Sequence, residues 1–138
     1  MSIIGVDIGV HGALALLSPD GELLEVADMP ILRDGPKGRP AVNGPLLADL
    51  VYRWHTGHAF IELVGPRPGE GAVGAFSFGR SRGLVEGVLA ACGVPATLYR
   101  PLQGNALWAF LRSATAQKTR QDRRRSAAGP QKPHSSPA

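Results

Sequence analysis

The chain has 138 residues, enough for one domain that buries a sheet against a few helices and too few for a second. Its formal net charge is +4, yet residues 1–111 hold eight Lys and Arg against ten Asp and Glu, whereas residues 112–138 hold seven against one, so the basicity belongs to the tail and does not by itself make the folded part a nucleic-acid binder. A single cysteine, Cys92, excludes an intrachain disulfide; no apolar run approaches the roughly 20 residues of a membrane helix, and the charge at Asp7 comes too early for a secretory leader, so a soluble protein of the reducing cytoplasm is expected.

Ser2 to Ile8, rich in Ile and Val, reads as a buried first strand. Turn residues at Gly9-Val10-His11-Gly12 lead into a second apolar run, Ala13 to Leu17. This is closed by Ser18-Pro19-Asp20-Gly21, a turn with Pro second and Gly fourth. Gly21 to Met29 reads as a third strand, giving an antiparallel meander. Pro30 to Val42, broken by prolines and glycines among charges, reads as a mobile loop.

Asn43-Gly44-Pro45 is a helix entry: Asn accepts from free backbone N–H groups, and Pro sits in the first turn where its missing donor costs nothing. Leu46, Leu47, Leu50, Val51 and Trp54 continue at helical spacing to about His55. His58 to Val64 is a fourth strand, and Gly65 to Gly71 a Pro/Gly loop. Ala72 to Cys92 is a second helix, with Val85, Val88, Leu89 and Cys92 on one face and Gly93 as its stop; Thr97 to Arg100 is a fifth strand. The order predicts an α/β fold, a mixed sheet of three antiparallel strands plus parallel additions, flanked by helices. Gly79, Gly83 and Gly87 leave one stripe of the second helix without side chains, which fits close packing within the fold.

Two acids stand out because each is alone in an apolar strand: Asp7 in Ile-Ile-Gly-Val-Asp-Ile-Gly and Glu62 in His-Ala-Phe-Ile-Glu-Leu-Val. Burying a carboxylate is costly without a cation or donors, and two on neighbouring strands repel unless they share a divalent ion. The pair therefore points to Mg²⁺, with Mn²⁺ as a substitute. Phosphodiester hydrolysis by two metals uses such carboxylates, with Asp7 as the bridge and Glu62 as an outer ligand. His11, His55 and His58 have no metal-ligand spacing.

Asp7-x-Gly9 with Gly12-Ala13, Phe60-Ile61-Glu62, the run Pro68-Gly69-Glu70-Gly71-Ala72-Val73, Phe76-Ser77-Phe78-Gly79, Gly83, Gly87 and Gly93-Val94-Pro95 together resemble the RuvC-type crossover-junction endonucleases of bacteria and phages. The resemblance spans residues 3 to 103 and is most specific from Pro68 to Gly79. It implies a ribonuclease-H-like nuclease domain over residues 1–103, a homodimer, Mg²⁺ dependence and action on branched or four-way-junction DNA in recombination and repair. It also implies that the loop after Glu62 and the following helix start hold DNA: Arg67, Arg80 and Arg82 at phosphates, Gly69 and Gly71 at the backbone, and Phe76 or Phe78 stacked on an unpaired base.

After Gln103 the pattern changes. Residues 104–138 read as a basic, disordered tail whose one acid is Asp122, leaving the nuclease domain incomplete at its C-terminus. The family takes further carboxylates from a C-terminal helix, so this chain is expected to bind better than it cuts. Codon degeneracy lets Gly104-Asn105-Ala106-Leu107-Trp108-Ala109 be read one nucleotide out of frame as Trp-Lys-Arg-Ala-Leu-Gly. In the same frame, residues 117–122 permit Lys-Asp-Ala-Ser-Arg. Both are family-like, and an out-of-frame resolvase C-terminus is expected. Two other readings compete: a branched-DNA-binding protein that never cuts, and a fragment of an actin-like ATPase holding nucleotide through Asp7-x-Gly9-x-x-Gly12.

Overall fold

The computed structural model describes residues 1–34, 39–63, 65 and 69–100. The expectations for Arg67, for residues 104–138 and for the domain boundary after residue 103 lie outside the described residues. Five strands form one sheet in the order β3 (Leu23–Asp28), β2 (Ala13–Leu17), β1 (Ser2–Val6), β6 (Thr56–Glu62), β7 (Ala96–Tyr99). The first three pair antiparallel, and β6 and β7 add on parallel to β1, which is the mixed α/β sheet expected. The turn between β2 and β3 closes as its residues dictate. Ser18 N–H donates to the Glu22 carbonyl at 2.8 Å, Gly21 N–H donates to the Ser18 carbonyl at 3.0 Å, and Gly21 takes φ 87°, a conformation only glycine adopts freely.

The segment from Pro30 to Val42 is not the irregular loop its composition predicts. It holds a hairpin, β4 (Ile31–Asp34) against β5 (Arg39–Val42), with Ile31 opposite Val42. Its base is anchored by burial of Met29 and Val42 and by Asn43 N–H donating to the Pro30 carbonyl at 2.8 Å. A proline at position 40 is compatible with a two-stranded ribbon, where one side of each strand needs no ladder partner.

Helix α1 (Gly44–Arg53) starts as predicted, with Asn43 Oδ1 accepting from Leu46 N–H at 3.2 Å. Its end is tied to the sheet by Ser2, whose hydroxyl donates to the Trp54 carbonyl at 2.7 Å. The Trp54 indole N–H donates to Glu25 on β3 at 3.0 Å. Helix α2 (Ala72–Ala91) buries Val85 and Leu89 fully, with Val88 and Cys92 packed beside them. These meet Ile4, Val6, Leu14, Leu16, Ala59 and Ile61 in one core between the helices and one sheet face. By strand alternation, Asp7 and Glu62 project to the opposite face.

The glycine stripe of α2 corrects another expectation. Gly79, Gly83 and Gly87 are exposed, and a Cβ built on any of them meets nothing within 4 Å. They face away from the sheet, and among the described residues nothing packs on them. Val85 and Leu89 sit on the other side of the helix, where they occupy the only face the sheet can bury.

Candidate functional site

The site grows from the register of three parallel strands. Val6 pairs with Ile61, so Asp7 and Glu62, each one residue further on, come to the neighbouring carboxyl ends of β1 and β6. On the other side, Glu62 is register partner of Tyr99 on β7, and Leu63 N–H donates to the Tyr99 carbonyl at 2.7 Å. Partners in adjacent strands share a face about 4.8 Å apart. Burial pushes the Tyr99 phenol above its ordinary pKa, and the negative charges of Glu62 and then Asp7 push it further. Both carboxylates thus act on one hydroxyl. Glu62 itself is only 5% exposed, which makes it the most enclosed acid of the described chain.

Asp7 is held by a tight turn. Its N–H donates to the Ala13 carbonyl at 2.9 Å, Gly12 N–H donates to the Gly9 carbonyl at 3.1 Å, and Gly9 takes φ 135°. The Gly-x-x-Gly spacing that the sequence offers as a phosphate cradle is therefore needed first to turn the chain beside Asp7. A cleft of about 420 Å³ opens there, between Asp7–Gly12 and the first half of α2, where Glu70, Gly74, Ser77, Phe78 and Ser81 line it. Ligands of open α/β sheets bind at this end, outside the carboxyl ends of the strands.

Residues expected to meet DNA divide by position. Gly69 and Gly71, on either side of the cleft-lining Glu70, are exposed, and Gly69 takes φ 82°. Phe76 is 76% exposed on α2, whereas Phe78 packs partly against the core, which leaves Phe76 as the aromatic open to a base. Arg80 is exposed, while Arg82 is half-buried and its guanidinium donates to Glu86 at 2.6 Å. His58 bonds Thr97 at 2.9 Å and leans on Phe60, so it serves the sheet. Two site residues escaped the sequence reading. Glu70 shares the cleft with Asp7, and its only signal is being an acid in the Pro-Gly-Glu-Gly run. Tyr99 ends an apolar strand, where a tyrosine ordinarily reads as core.

No protein-family model matches the chain, and no curated protein does. Solved structures do. A Thermus thermophilus RuvC in complex with a Holliday junction substrate aligns with a TM-score of 0.55 at 20% identity, covering 75% of this chain and 66% of that one. The fold is that of RuvC. A second Thermus thermophilus RuvC structure aligns at TM-score 0.52 and 22% identity, with the same coverage. The chain thus has a RuvC-type, ribonuclease-H-like fold and spans just under two thirds of the RuvC chains it matches. Among the described residues no helix is long and apolar enough to cross a membrane.

The donor set at the strand ends suits a hard divalent cation. Asp7 and Glu62 offer only carboxylate oxygens, and among the described residues no group of three or more His, Cys, Asp or Glu forms a closed cage. Carboxylate oxygens are the donors Mg²⁺ takes, one or two at a time beside its waters. The Tyr99 hydroxyl oxygen is buried with no hydrogen-bond partner. Leaving a hydroxyl unpaired costs roughly 1–3 kcal/mol.

Proposed function

We propose that this chain is a RuvC-like, structure-specific DNA-binding domain built for Mg²⁺-dependent phosphodiester hydrolysis, with Asp7 and Glu62 holding the ion. The observation that supports it most is the convergence of these two acids at adjacent strand ends in a sheet of RuvC fold. A divalent ion bound there supplies an activated water and neutralises charge on the scissile phosphate. Asp7 and Glu62 orient it through fixed strand positions. The cleft beside α2 admits the DNA backbone, with Arg80, Gly69, Gly71 and Arg67 at phosphates and Phe76 against an unpaired base. Arg82 joins them on leaving Glu86. Mn²⁺ serves in place of Mg²⁺. A second copy of the chain docks on the bare outer face of α2, where Gly83 and Gly87 allow helices to approach closely. Cytoplasmic recombination and repair are the setting this reading fits.

A binding role without cutting is favoured for the chain as it stands, because residues 104–138 carry one acid, Asp122, among seven Lys and Arg. We read those residues as an out-of-frame resolvase C-terminus. The test compares fluorescence anisotropy of a four-way junction and a linear duplex of equal length with the purified chain. It then repeats cleavage assays after one nucleotide is restored before codon 104. Tighter junction binding, with Mg²⁺-dependent cutting gained on repair and lost in Asp7→Asn, is expected. Equal affinity for both DNAs, or a repaired chain that never cuts, would overturn the reading.

A further inference from the structure

Resting on the metal reading above, we propose that Tyr99 is a positioning residue of the Asp7–Glu62 site, its phenol donating a hydrogen bond to the water shell of the bound cation. Three observations meet at this side chain. Its backbone is locked beside Glu62 by strand register and by the 2.7 Å hydrogen bond from Leu63 N–H, so the ring shares the face of the two acids. Its hydroxyl oxygen is fully enclosed and has no hydrogen-bond partner, which is rare for a buried polar atom and calls for a partner that arrives with a ligand. Glu62 and Asp7 make its surroundings anionic, and a phenol at neutral pH is protonated and thus a donor.

The contrast with Thr56 sharpens the assignment. Thr56 Oγ1 is the other buried, unbonded side-chain oxygen among the described residues, but it sits at the opposite, amino end of β6, away from the acids. Packing alone would be served equally well by phenylalanine at position 99. A hydroxyl on the same sheet face as two carboxylates gains its partner when an ion brings ordered water to that face. In this arrangement Tyr99 touches neither substrate nor ion. It restrains a coordinated water and so tightens the site that Asp7 and Glu62 form.

The experiment uses the full chain labelled with ¹³C at tyrosine Cζ, which gives two signals, from Tyr52 and Tyr99. Tyr99→Phe assigns them. Mg²⁺ is titrated while binding is followed in parallel by calorimetry, with Mn²⁺ as the second probe. The expected result is a shift of the Tyr99 signal that saturates with binding, an unmoved Tyr52 signal, loss of the shift in Asp7→Asn, and Mn²⁺ affinity about ten- to a hundredfold weaker in Tyr99→Phe. If wild type binds the ion and Asp7→Asn does not, yet the Tyr99 signal stays still and Tyr99→Phe binds as wild type, the Tyr99 role is overturned and the metal reading stands. If wild type binds no ion, both fall together.

Discussion

Gly12 lies so close against Asp7 that a Cβ at position 12 would stand 2.0 Å from the Asp7 carbonyl oxygen. The contact is backbone to backbone, so no side chain can swing away to relieve it. Gly12→Ala must therefore push β1 and β2 apart where Asp7 N–H meets the Ala13 carbonyl. We expect a loss of roughly 1–3 kcal/mol, or more, in urea unfolding, accompanied by loss of ion binding in calorimetry. Gly9→Ala, where a Cβ has open space but φ is 135°, should cost stability through strain alone.

Asp7→Asn and Glu62→Gln remove one charge each from a site whose stability gain depends on an ion. A ligand that binds only the folded state stabilises it by about 2.7 kcal/mol at a hundredfold excess over Kd. Saturating Mg²⁺ should raise the Tm of the wild type and leave both variants unmoved. Scanning calorimetry with and without Mg²⁺ reads this directly, and an equal rise in all three proteins would remove the two acids from the metal site.

The exposure of Phe76 separates recognition from folding. Its ring is 76% exposed, so Phe76→Ala should change unfolding free energy by no more than about 0.5 kcal/mol. Stacking on an unpaired base is worth roughly 1–3 kcal/mol. Junction affinity should fall by about five- to a hundredfold with duplex affinity little changed. A parallel loss on both DNAs in anisotropy would assign Phe76 to general contact.

Ala13 to Leu17 was legible to the residue, because a strand buried on both faces is a continuous apolar run with turn residues at each end. Asp7 and Glu62 were legible for the opposite reason, each being the one charge in such a run. The hairpin at Ile31–Val42 was hidden, since Met29 and Val42, which anchor it, stand apart in a stretch dominated by Pro and Gly. The outward face of α2 could not be read because the polar residues of this helix, Ser77, Arg80, Ser81, Arg82 and Glu86, are spread around it and mark no single solvent side. Tyr99 was illegible because its pairing with Glu62 is a register between strands separated by all of α2, and register is set in three dimensions.

Gly87 is exposed, and among the described residues nothing lies within 4 Å of a Cβ built there, so a long side chain finds open space. Gly87→Arg should raise monomer stability by about 0.5–1 kcal/mol through helix propensity. If a second copy docks on this face, the same change places a bulky charge at the contact. Sedimentation should then show a dimer for the wild type and a monomer for the variant, and a persisting dimer would place the interface elsewhere.

The last prediction follows from the raised pKa of Tyr99. In the unfolded chain its phenol ionises near pH 10, whereas in the fold burial, Glu62 and Asp7 hold it protonated to higher pH. The unfolded state thus loses its proton first. Linkage then gives stability that is complete below the ordinary tyrosine pKa and is lost as pH rises through the folded value. The wild type should show a steeper alkaline fall in Tm than Tyr99→Phe, with the two curves parallel at neutral pH. Adding Mg²⁺ should shrink the difference, because an ion between the acids offsets the negative field that disfavours the phenolate. Identical alkaline limbs for the two proteins would mean that Tyr99 does not feel the Asp7–Glu62 pair, and the shared face inferred from strand register would have to be abandoned.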